Sequence, residues 1–232
     1  MKYRKHTSLK DLAQALGVSI PTVSRALKDS SEISRELCAK AKELAKEMNY
    51  RPNPFAMSLR KNAPRIIGVI VPDIVTHFFA SILNGIENMA IANGYFVIIT
   101  TSHESYEHEK RNVENLVNMR VEGIIACLSQ ETTDYSHFAT LKDINMPLIL
   151  FDRVCLTEQF SSVVADGVQS AQMATQHFLD NGSKRVAFIG GANHLDIVKK
   201  RKHGYLEALR DNRIPIEKEL VVCRKIDYEE GK

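Results

Sequence analysis

A segment near the amino terminus places side chains that could contact bases on one face of a predicted helix. The residues of this face follow i, i+3, i+4 and i+7 spacing, and they are Pro21, Ser24, Arg25 and Lys28. Ile20 lies at the leading edge of the face. The guanidinium of Arg25 can donate two hydrogen bonds to the O6 and N7 atoms of a guanine. Because an α-helix fits the major groove of DNA, the pattern indicates a helix that reads base edges.

The sequence before this helix predicts a first helix and a tight turn that position it. A first helix is predicted from the cap Ser8 to Gly17, and its apolar face is Leu9, Leu12, Ala13 and Leu16. Gly17-Val18-Ser19 then forms a tight turn, since glycine adopts the left-handed conformation and Ser19 can cap the second helix. In that second helix, Val23, Ala26 and Leu27 face inward. The pattern is that of a helix-turn-helix.

A third helix completes the predicted three-helix core. It begins after the cap Ser34, ends at Asn49-Tyr50, and buries the apolar residues Leu37, Ala41, Leu44, Ala45 and Met48. Small helical bundles with no DNA role carry similar apolar stripes, so the stripes by themselves leave that alternative open.

The proline-rich segment after the third helix predicts a short fourth helix. Asn53 can serve as its cap and Pro54 as its first residue. The segment 55–60 is shorter than two turns, so we expect it to become helical only when another surface, such as DNA, packs against it. Leu59, followed by Arg60 and Lys61, would suit an apolar wedge in the minor groove. The alternative is an interdomain linker with an incidental leucine.

Charge is distributed unevenly along the chain. Residues 1–61 contain 13 Lys and Arg against 6 Asp and Glu, whereas residues 62–232 contain 18 against 22. The net charges of these parts are therefore +7 and −4. A basic head on an acidic body is expected when only one end of a protein meets a polyanion.

Beyond Pro64, short β-branched runs alternate with amphipathic stretches, which predicts a parallel sheet covered on both faces. The predicted strands are 66–71, 95–100, 123–128 and 147–152, and the predicted helices between them are 78–93, 106–120 and 135–143. A further unit is predicted from strands 162–165, 185–190 and 220–223 and from helices 167–181 and 196–212, and residues 227–230 resemble a helix start.

Ligands of open α/β sheets bind beyond the carboxyl ends of the strands. The residues at or shortly after these ends that we predict to contact a small molecule are Phe78, Phe79, Asp152, Asp166, His194 and Arg201. Three alternatives remain open at this stage. The two phenylalanines could be core residues, Asp166 could be only a helix cap, and Arg201 could belong to a solvated basic face.

Other functional classes lack the sequence features that they require. The chain contains no glycine-rich phosphate loop, no Gly-x-Ser-x-Gly elbow and no paired-histidine metal motif, so we expect no catalytic residues, no cofactor and no metal. His103 and His108 flank acidic residues, but a solvated helix start explains them more simply. The four cysteines form no Cys-x-x-Cys pair, and no apolar run spans a bilayer. A secreted sugar-binding protein would need a signal peptide, and the polar amino terminus does not resemble one, which predicts a cytoplasmic protein without a membrane partner.

Four segments together resemble the LacI/GalR family of bacterial transcriptional regulators over essentially the whole chain. They are residues 17–25 (GVSIPTVSR), 49–53 (NYRPN), 56–59 (AMSL) and 67–73 (IGVIVPD). The resemblance implies that Ile20, Pro21 and Arg25 read operator bases. It implies that Ser19, Thr22 and Ser24 contact phosphates and that Leu59 is the minor-groove wedge of a hinge helix. We add Lys28, Asn53 and Ala56 to the DNA-binding set.

The same resemblance assigns a role to the body of the chain. It implies that Arg201 grips a small-molecule effector and that Asp152, Asp166 and the two phenylalanines line a cleft between two subdomains. At Ile20-Pro21 many members of the family have polar or aromatic residues, and at Lys28 asparagine is frequent. The operator sequence therefore does not follow from the resemblance.

These observations predict a DNA-binding regulator, most simply a repressor, whose affinity for DNA is controlled by a sugar or a related metabolite. We expect a homodimer on a pseudo-palindromic, double-stranded operator. The fold class is an all-α helix-turn-helix head with a hinge helix, followed by an α/β, periplasmic-binding-protein-like body with a parallel sheet and two subdomains. The expected boundaries are 1–52 for the head, 53–64 for the hinge, 65–163 for the first subdomain and 164–232 for a second, incomplete subdomain.

Overall fold

The computed structural model describes residues 7–50 and 65–224. The chain divides into two compact units, residues 1–62 and 63–232. The hinge residues, including Asn53, Ala56 and Leu59, lie outside the described residues. So does the helix start predicted at 227–230.

The first unit contains the predicted helix-turn-helix and third helix. Its helices are α1 (Leu9–Leu16), α2 (Ile20–Ala26) and α3 (Arg35–Glu47). Ser8 and Asp11 form a reciprocal capping box at the start of α1. Gly17 ends α1 with a φ of 65°, a left-handed conformation that glycine adopts without a steric penalty. Local backbone chemistry therefore fixes where α1 stops and α2 begins.

Apolar residues from all three helices form the core of this unit. Leu12, Val23, Ala26 and Ala41 are fully buried. The hydroxyl of Thr7 also donates to the carbonyl oxygen of Met48 at 2.7 Å, which ties the amino-terminal end to the end of α3. The predicted inward face of α2 is confirmed.

The second unit is an α/β structure built on parallel strands. Its strands are β1 (Ile66–Val71), β2 (Phe96–Thr101), β3 (Gly123–Ala126), β4 (Leu148–Phe151), β5 (Ser161–Val163), β6 (Phe188–Gly190) and β7 (Val221–Cys223). Its α-helices are α4 (His77–Ala92), α5 (Tyr106–Asn118), α6 (Ser136–Asp143), α7 (Gly167–Asp180) and α8 (Asp196–Asp211). A 3₁₀ turn, Lys218–Leu220, precedes β7.

The five strands of the first sheet run parallel in the order β2-β1-β3-β4-β5, and β6 pairs with β7 in a second parallel sheet. One prediction is wrong here. The sequence analysis groups the strand predicted at 162–165 with those at 185–190 and 220–223, but β5 pairs with β4, with Ile149 opposite Ser161. The backbone hydrogen bonds of β4 therefore place β5 at the edge of the first sheet.

The first sheet has two apolar faces. Helices α5 and α6 cover one of them through Val113, Leu116, Phe138 and Leu141. Helix α4 covers part of the other through Phe79 and Leu83. Between α4 and the sheet an open apolar groove of about 530 Å³ remains, and it is lined by Ile67, Ile82, Gly85, Ile86, Met89, Ala90, Asn93, Tyr95 and Ile125.

Candidate DNA-reading face and ligand-binding edge

The structure turns the predicted reading face of α2 to solvent. Ile20, Pro21, Arg25 and Lys28 are exposed, whereas the intervening Val23 and Ala26 are fully buried. Because the buried side of α2 is fixed against α1 and α3, the exposed side is held in one orientation. This arrangement leaves the side chains that could reach base edges free of the core.

Two residues predicted to contact phosphates hold the start of α2. The hydroxyl of Ser19 accepts a hydrogen bond from the backbone N–H of Thr22 at 3.3 Å, and the two hydroxyls lie 2.8 Å apart. Both residues are at the amino-terminal end of a helix, where backbone N–H groups and the helix dipole favour a phosphate. Ser24 is half-buried one turn further on. The DNA contacts of these residues stay predictions.

A neighbouring carboxylate engages the predicted base-reading arginine. The Nη1 atom of Arg25 donates to the Oε2 atom of Glu32 at 2.9 Å, and both side chains are more than half exposed. Glu32 lies in the loop between α2 and α3, and it is not among the residues predicted to contact DNA. The presence of an acidic residue seven positions after an exposed arginine was the only signal in the sequence.

In the second unit, Asp152 lies directly after β4 at the carboxyl edge of the first sheet, with a φ of 56°. A positive φ is uncommon for a residue other than glycine. Burial raises the pKa of its carboxyl group, and the positive charges of Arg153 and Arg201 act in the opposite direction. The charge of Arg201, which lies 49 residues later in the sequence, thus acts on the carboxyl group of Asp152 in the folded chain.

Arg153 is held by a carboxylate that the sequence analysis did not predict as part of the site. Its Nη1 atom donates to both carboxylate oxygens of Glu104, at 2.9 and 2.7 Å, and to the carbonyl oxygen of Leu128 at 3.2 Å. The backbone N–H of Gln130 donates to the same carboxylate at 2.7 Å. Glu104 thus joins the loops that follow β2, β3 and β4.

A second, fully buried carboxylate lies beneath the same loops. Glu109 of α5 accepts hydrogen bonds from the backbone N–H of Ser129 at 2.6 Å and from the hydroxyl of Thr132 at 2.7 Å. The Nε2 atom of His137 lies 3.0 Å from the same side chain. The hydroxyl of Ser129 also donates to that of Ser102 at 2.7 Å. These contacts brace the loops that form the carboxyl edge of the sheet.

The remaining predicted ligand residues have different surroundings. Phe78 is half exposed, but Phe79 packs into the core beneath α4, with its ring 6.4 Å from that of Phe151. The carboxylate of Asp166 caps α7 by accepting from the N–H groups of Val168 and Gln169, at 3.0 and 2.9 Å. Phe79 is thus a core residue and Asp166 is a helix cap, as the alternative interpretations predict. An effector role for either residue stays a prediction.

His194 and Arg201 lie on the α8 side of the site. The Nε2 atom of His194 is buried and has no hydrogen-bond partner within the described residues, while Arg201 is exposed on α8. A bound molecule could supply the missing partner of His194. Contacts of these residues with an effector remain predictions.

The sequence Gly204-Tyr205 explains how α8 is positioned. A Cβ atom at Gly204 would lie 2.0 Å from the carbonyl oxygen of Val168, so only glycine allows α8 to approach α7 this closely. The hydroxyl of Tyr205 donates to the carbonyl oxygen of Val186 at 2.8 Å, and its ring packs 5.5 Å from that of Phe188. These contacts set the position of α8, which carries Arg201.

Residues 7–50 and 65–224 lack the features of some other kinds of site. No group of three or more His, Cys, Asp or Glu residues in these ranges has an arrangement that could hold a metal ion, and none of their helices has the length and apolar character to cross a membrane. Burial raises the pKa of the Cys127 and Cys155 thiols to about 12, so both remain protonated at neutral pH.

Comparison with known proteins identifies two family models in the chain. Residues 65–232 match "Periplasmic binding proteins and sugar binding domain of LacI family", and residues 8–53 match "Bacterial regulatory proteins, lacI family". The catabolite control protein A of Priestia megaterium is 30% identical over 97% of this chain and 68% of its own length. The ribose operon repressor of Bacillus subtilis is 32% identical over 88% of this chain and 60% of its own length. The chain thus spans between 60% and 68% of the length of these two relatives.

A solved structure shows the same fold. The crystal structure of the Lac repressor dimer bound to operator and the anti-inducer ONPF matches with a TM-score of 0.74, covering 97% of this chain and 66% of that one, at 24% sequence identity.

Proposed function

This chain belongs to the LacI family of bacterial regulatory proteins, and from that premise we propose that it is a sequence-specific DNA-binding transcriptional regulator, most simply a repressor. The observation that carries the proposal is the exposed face of α2, on which Arg25 projects from a capped helix that the core holds in place. Selection of bound sites from random double-stranded DNA tests the proposal. We expect a pseudo-palindromic consensus, and the absence of any enriched sequence would refute it.

We further propose that a small molecule, a sugar or a related metabolite, binds at the carboxyl edge of the first sheet and controls DNA affinity. Three features support this site: the partly buried carboxylate of Asp152, the charge of Arg201 that acts on it, and the unpartnered Nε2 atom of His194 within the described residues. Carboxylates and guanidinium groups can bind several hydroxyls at once. The two sides of the site would be the proposed subdomains 65–163 and 164–232.

The proposal includes a homodimer that acts in the cytoplasm as a binding protein and not as an enzyme. Two copies of the reading head would match the two halves of a pseudo-palindromic operator. The apolar groove beside α4 is a surface that a second copy could cover.

Arg25→Lys is expected to weaken binding to the selected site by about 1–3 kcal/mol and to change binding to random DNA much less. Lysine keeps the positive charge but lacks the fork that can donate two hydrogen bonds to one guanine. Arg25→Ala should lose a similar amount on the selected site and should also lower the affinity for random DNA. Fluorescence anisotropy with both DNAs measures these effects. Equal losses on both DNAs in the lysine variant would show that Arg25 does not read a base.

Asp152→Asn is expected to reduce affinity for the sugar identified in a ligand screen about tenfold or more, because a carboxylate accepts stronger hydrogen bonds from hydroxyls than an amide does. Isothermal titration calorimetry of this chain gives the dissociation constant. Asp143→Asn, at an exposed position at the end of α6, makes the same chemical change away from the site and should bind as the parent does. Unchanged affinity in Asp152→Asn would remove this residue from the proposed site.

A further inference from the structure

The loop between α2 and α3 places a carboxylate beside the residue proposed to read bases. We propose that Glu32 is a positioning residue for Arg25 and that it increases the preference of the protein for its own DNA site over random DNA. This inference rests on the proposed function, because it assigns Glu32 the role of orienting a residue of the reading face. The observation that carries it is the 2.9 Å contact between Arg25 Nη1 and Glu32 Oε2.

The backbone of the loop holds Glu32 near the end of α2. The N–H of Ser30 donates to the carbonyl oxygen of Arg25 at 3.1 Å, and the N–H of Ile33 donates to that of Ser30 at 3.0 Å. Asp29 forms an ion pair with Lys42 of α3 at 2.6 Å, which fastens the loop to the third helix. The contact between Glu32 and Arg25 therefore joins a helix to a loop that is itself fixed.

The ion pair between Arg25 and Glu32 is too exposed to contribute much to the folding stability of the head. The side chain of Arg25 is 57% exposed and that of Glu32 is 66% exposed, and exposed ion pairs contribute little to folding. The bond to Glu32 uses only one of the terminal nitrogens of Arg25, and a guanidinium carries five N–H donors in a planar fork. Donors remain for the O6 and N7 atoms of a guanine while Glu32 limits the directions in which the fork can point.

The negative charge of Glu32 also favours the specific site, because it weakens non-specific binding to DNA. Binding to random DNA depends on the neutralisation of phosphates by cations, and a carboxylate beside the reading face opposes it. An arginine that is not held can turn toward the nearest phosphate, where it contributes affinity without sequence information. Glu32 thus disfavours the phosphate-bound orientation of Arg25 and retains the orientation toward bases.

Glu32→Gln tests this role, and Glu36→Gln is a matched control. Glu36 is also an exposed carboxylate of the head, and it pairs at 2.8 Å with Lys40 within α3. Both substitutions remove one negative charge and change the side-chain shape little. Binding of the full 232-residue chain is measured by fluorescence anisotropy at several salt concentrations. Three DNAs are compared. The first is the selected site, the second is the same site with another base in place of the guanine that Arg25 recognises, and the third is random DNA.

We expect Glu32→Gln to raise the affinity for random DNA several-fold. It should also reduce discrimination, that is, the preference for the selected site over the site with the replaced guanine, about tenfold. Glu36→Gln should alter affinity for all three DNAs by the same factor and leave the discrimination unchanged. In an Arg25→Lys background, Glu32→Gln should no longer affect the discrimination. Thermal melts followed by circular dichroism verify that the exposed substitutions leave the head folded.

Two results would count against the inference in different ways. If Glu32→Gln prefers the selected site over the site with the replaced guanine as strongly as the parent and Glu36→Gln do, Glu32 does not position Arg25. The proposed function would still stand. A parent protein that binds the selected and random DNAs equally refutes the proposed function itself, and the inference with it.

Discussion

Replacement of Glu109 by alanine is expected to lower the free energy of unfolding of the second unit by about 3–5 kcal/mol. The carboxylate of Glu109 is fully buried and accepts from the N–H of Ser129 and the hydroxyl of Thr132, with the imidazole of His137 at 3.0 Å. Alanine leaves these buried groups without their partner and leaves a cavity among them. Urea denaturation followed by circular dichroism measures the loss.

Glu114→Ala is the control for this substitution. Glu114 is exposed on the same helix, α5, so the change removes the same charge and adds the same helix-forming residue. A change within about 0.5 kcal/mol is expected there. If both variants unfold at the same urea concentration, the buried hydrogen bonds of Glu109 do not stabilise the carboxyl edge of the sheet.

Gly204→Ala is expected to destabilise the second unit by about 2–3 kcal/mol, although alanine favours helices by about 1 kcal/mol over glycine. The new Cβ atom would lie 2.0 Å from the carbonyl oxygen of Val168 and 3.0 Å from the backbone nitrogen of Gln172. Both atoms belong to the backbone of α7, so no side chain can move to make room. Helices α7 and α8 must separate, and Arg201 must move with α8.

Gly85→Ala is the control for this substitution, and the opposite effect on the free energy of unfolding is expected. Gly85 lies within α4, and a Cβ atom at that position would have no other described residue within 4 Å, apart from its chain neighbours and the backbone of its own helix. The substitution should therefore raise the free energy of unfolding by up to about 1 kcal/mol, through helix propensity and the reduced freedom of the unfolded chain. Similar urea midpoints for the two variants would show that the close approach at Gly204 does not limit packing.

The sequence predicted the head well because its signals are local. The cap Ser8, the left-handed Gly17 and the cap Ser19 lie within 12 residues of one another, and each acts on the backbone next to it. The apolar residues of α2 and α3 recur at helical spacing, so their inward faces could be read directly. Glu32 was missed because it lies in the loop after α2, where helical spacing does not show which side chains meet.

In the body, the sequence predicted the elements better than their pairing. The bounds of β1 and of the helices α4, α7 and α8 are as predicted or within one residue at each end. β6 begins at Phe188, three residues later than predicted. The strand β5 was assigned to the wrong sheet because its partner β4 is determined by hydrogen bonds between distant segments, which alternation of residue types does not encode.

The sequence by itself determined the class of this protein: a basic helical reading head followed by an acidic α/β body, with Arg25 on the exposed face of the second helix. Only the tertiary structure decided which charges meet. It joined Arg153 to Glu104, which lies 49 residues earlier in the chain, and it showed that Gly204 is required by the backbone of α7. The physical reason is that caps and periodicities act between neighbours along the chain. Ion pairs, buried hydrogen bonds and helix contacts depend instead on distances that exist only after the chain has folded.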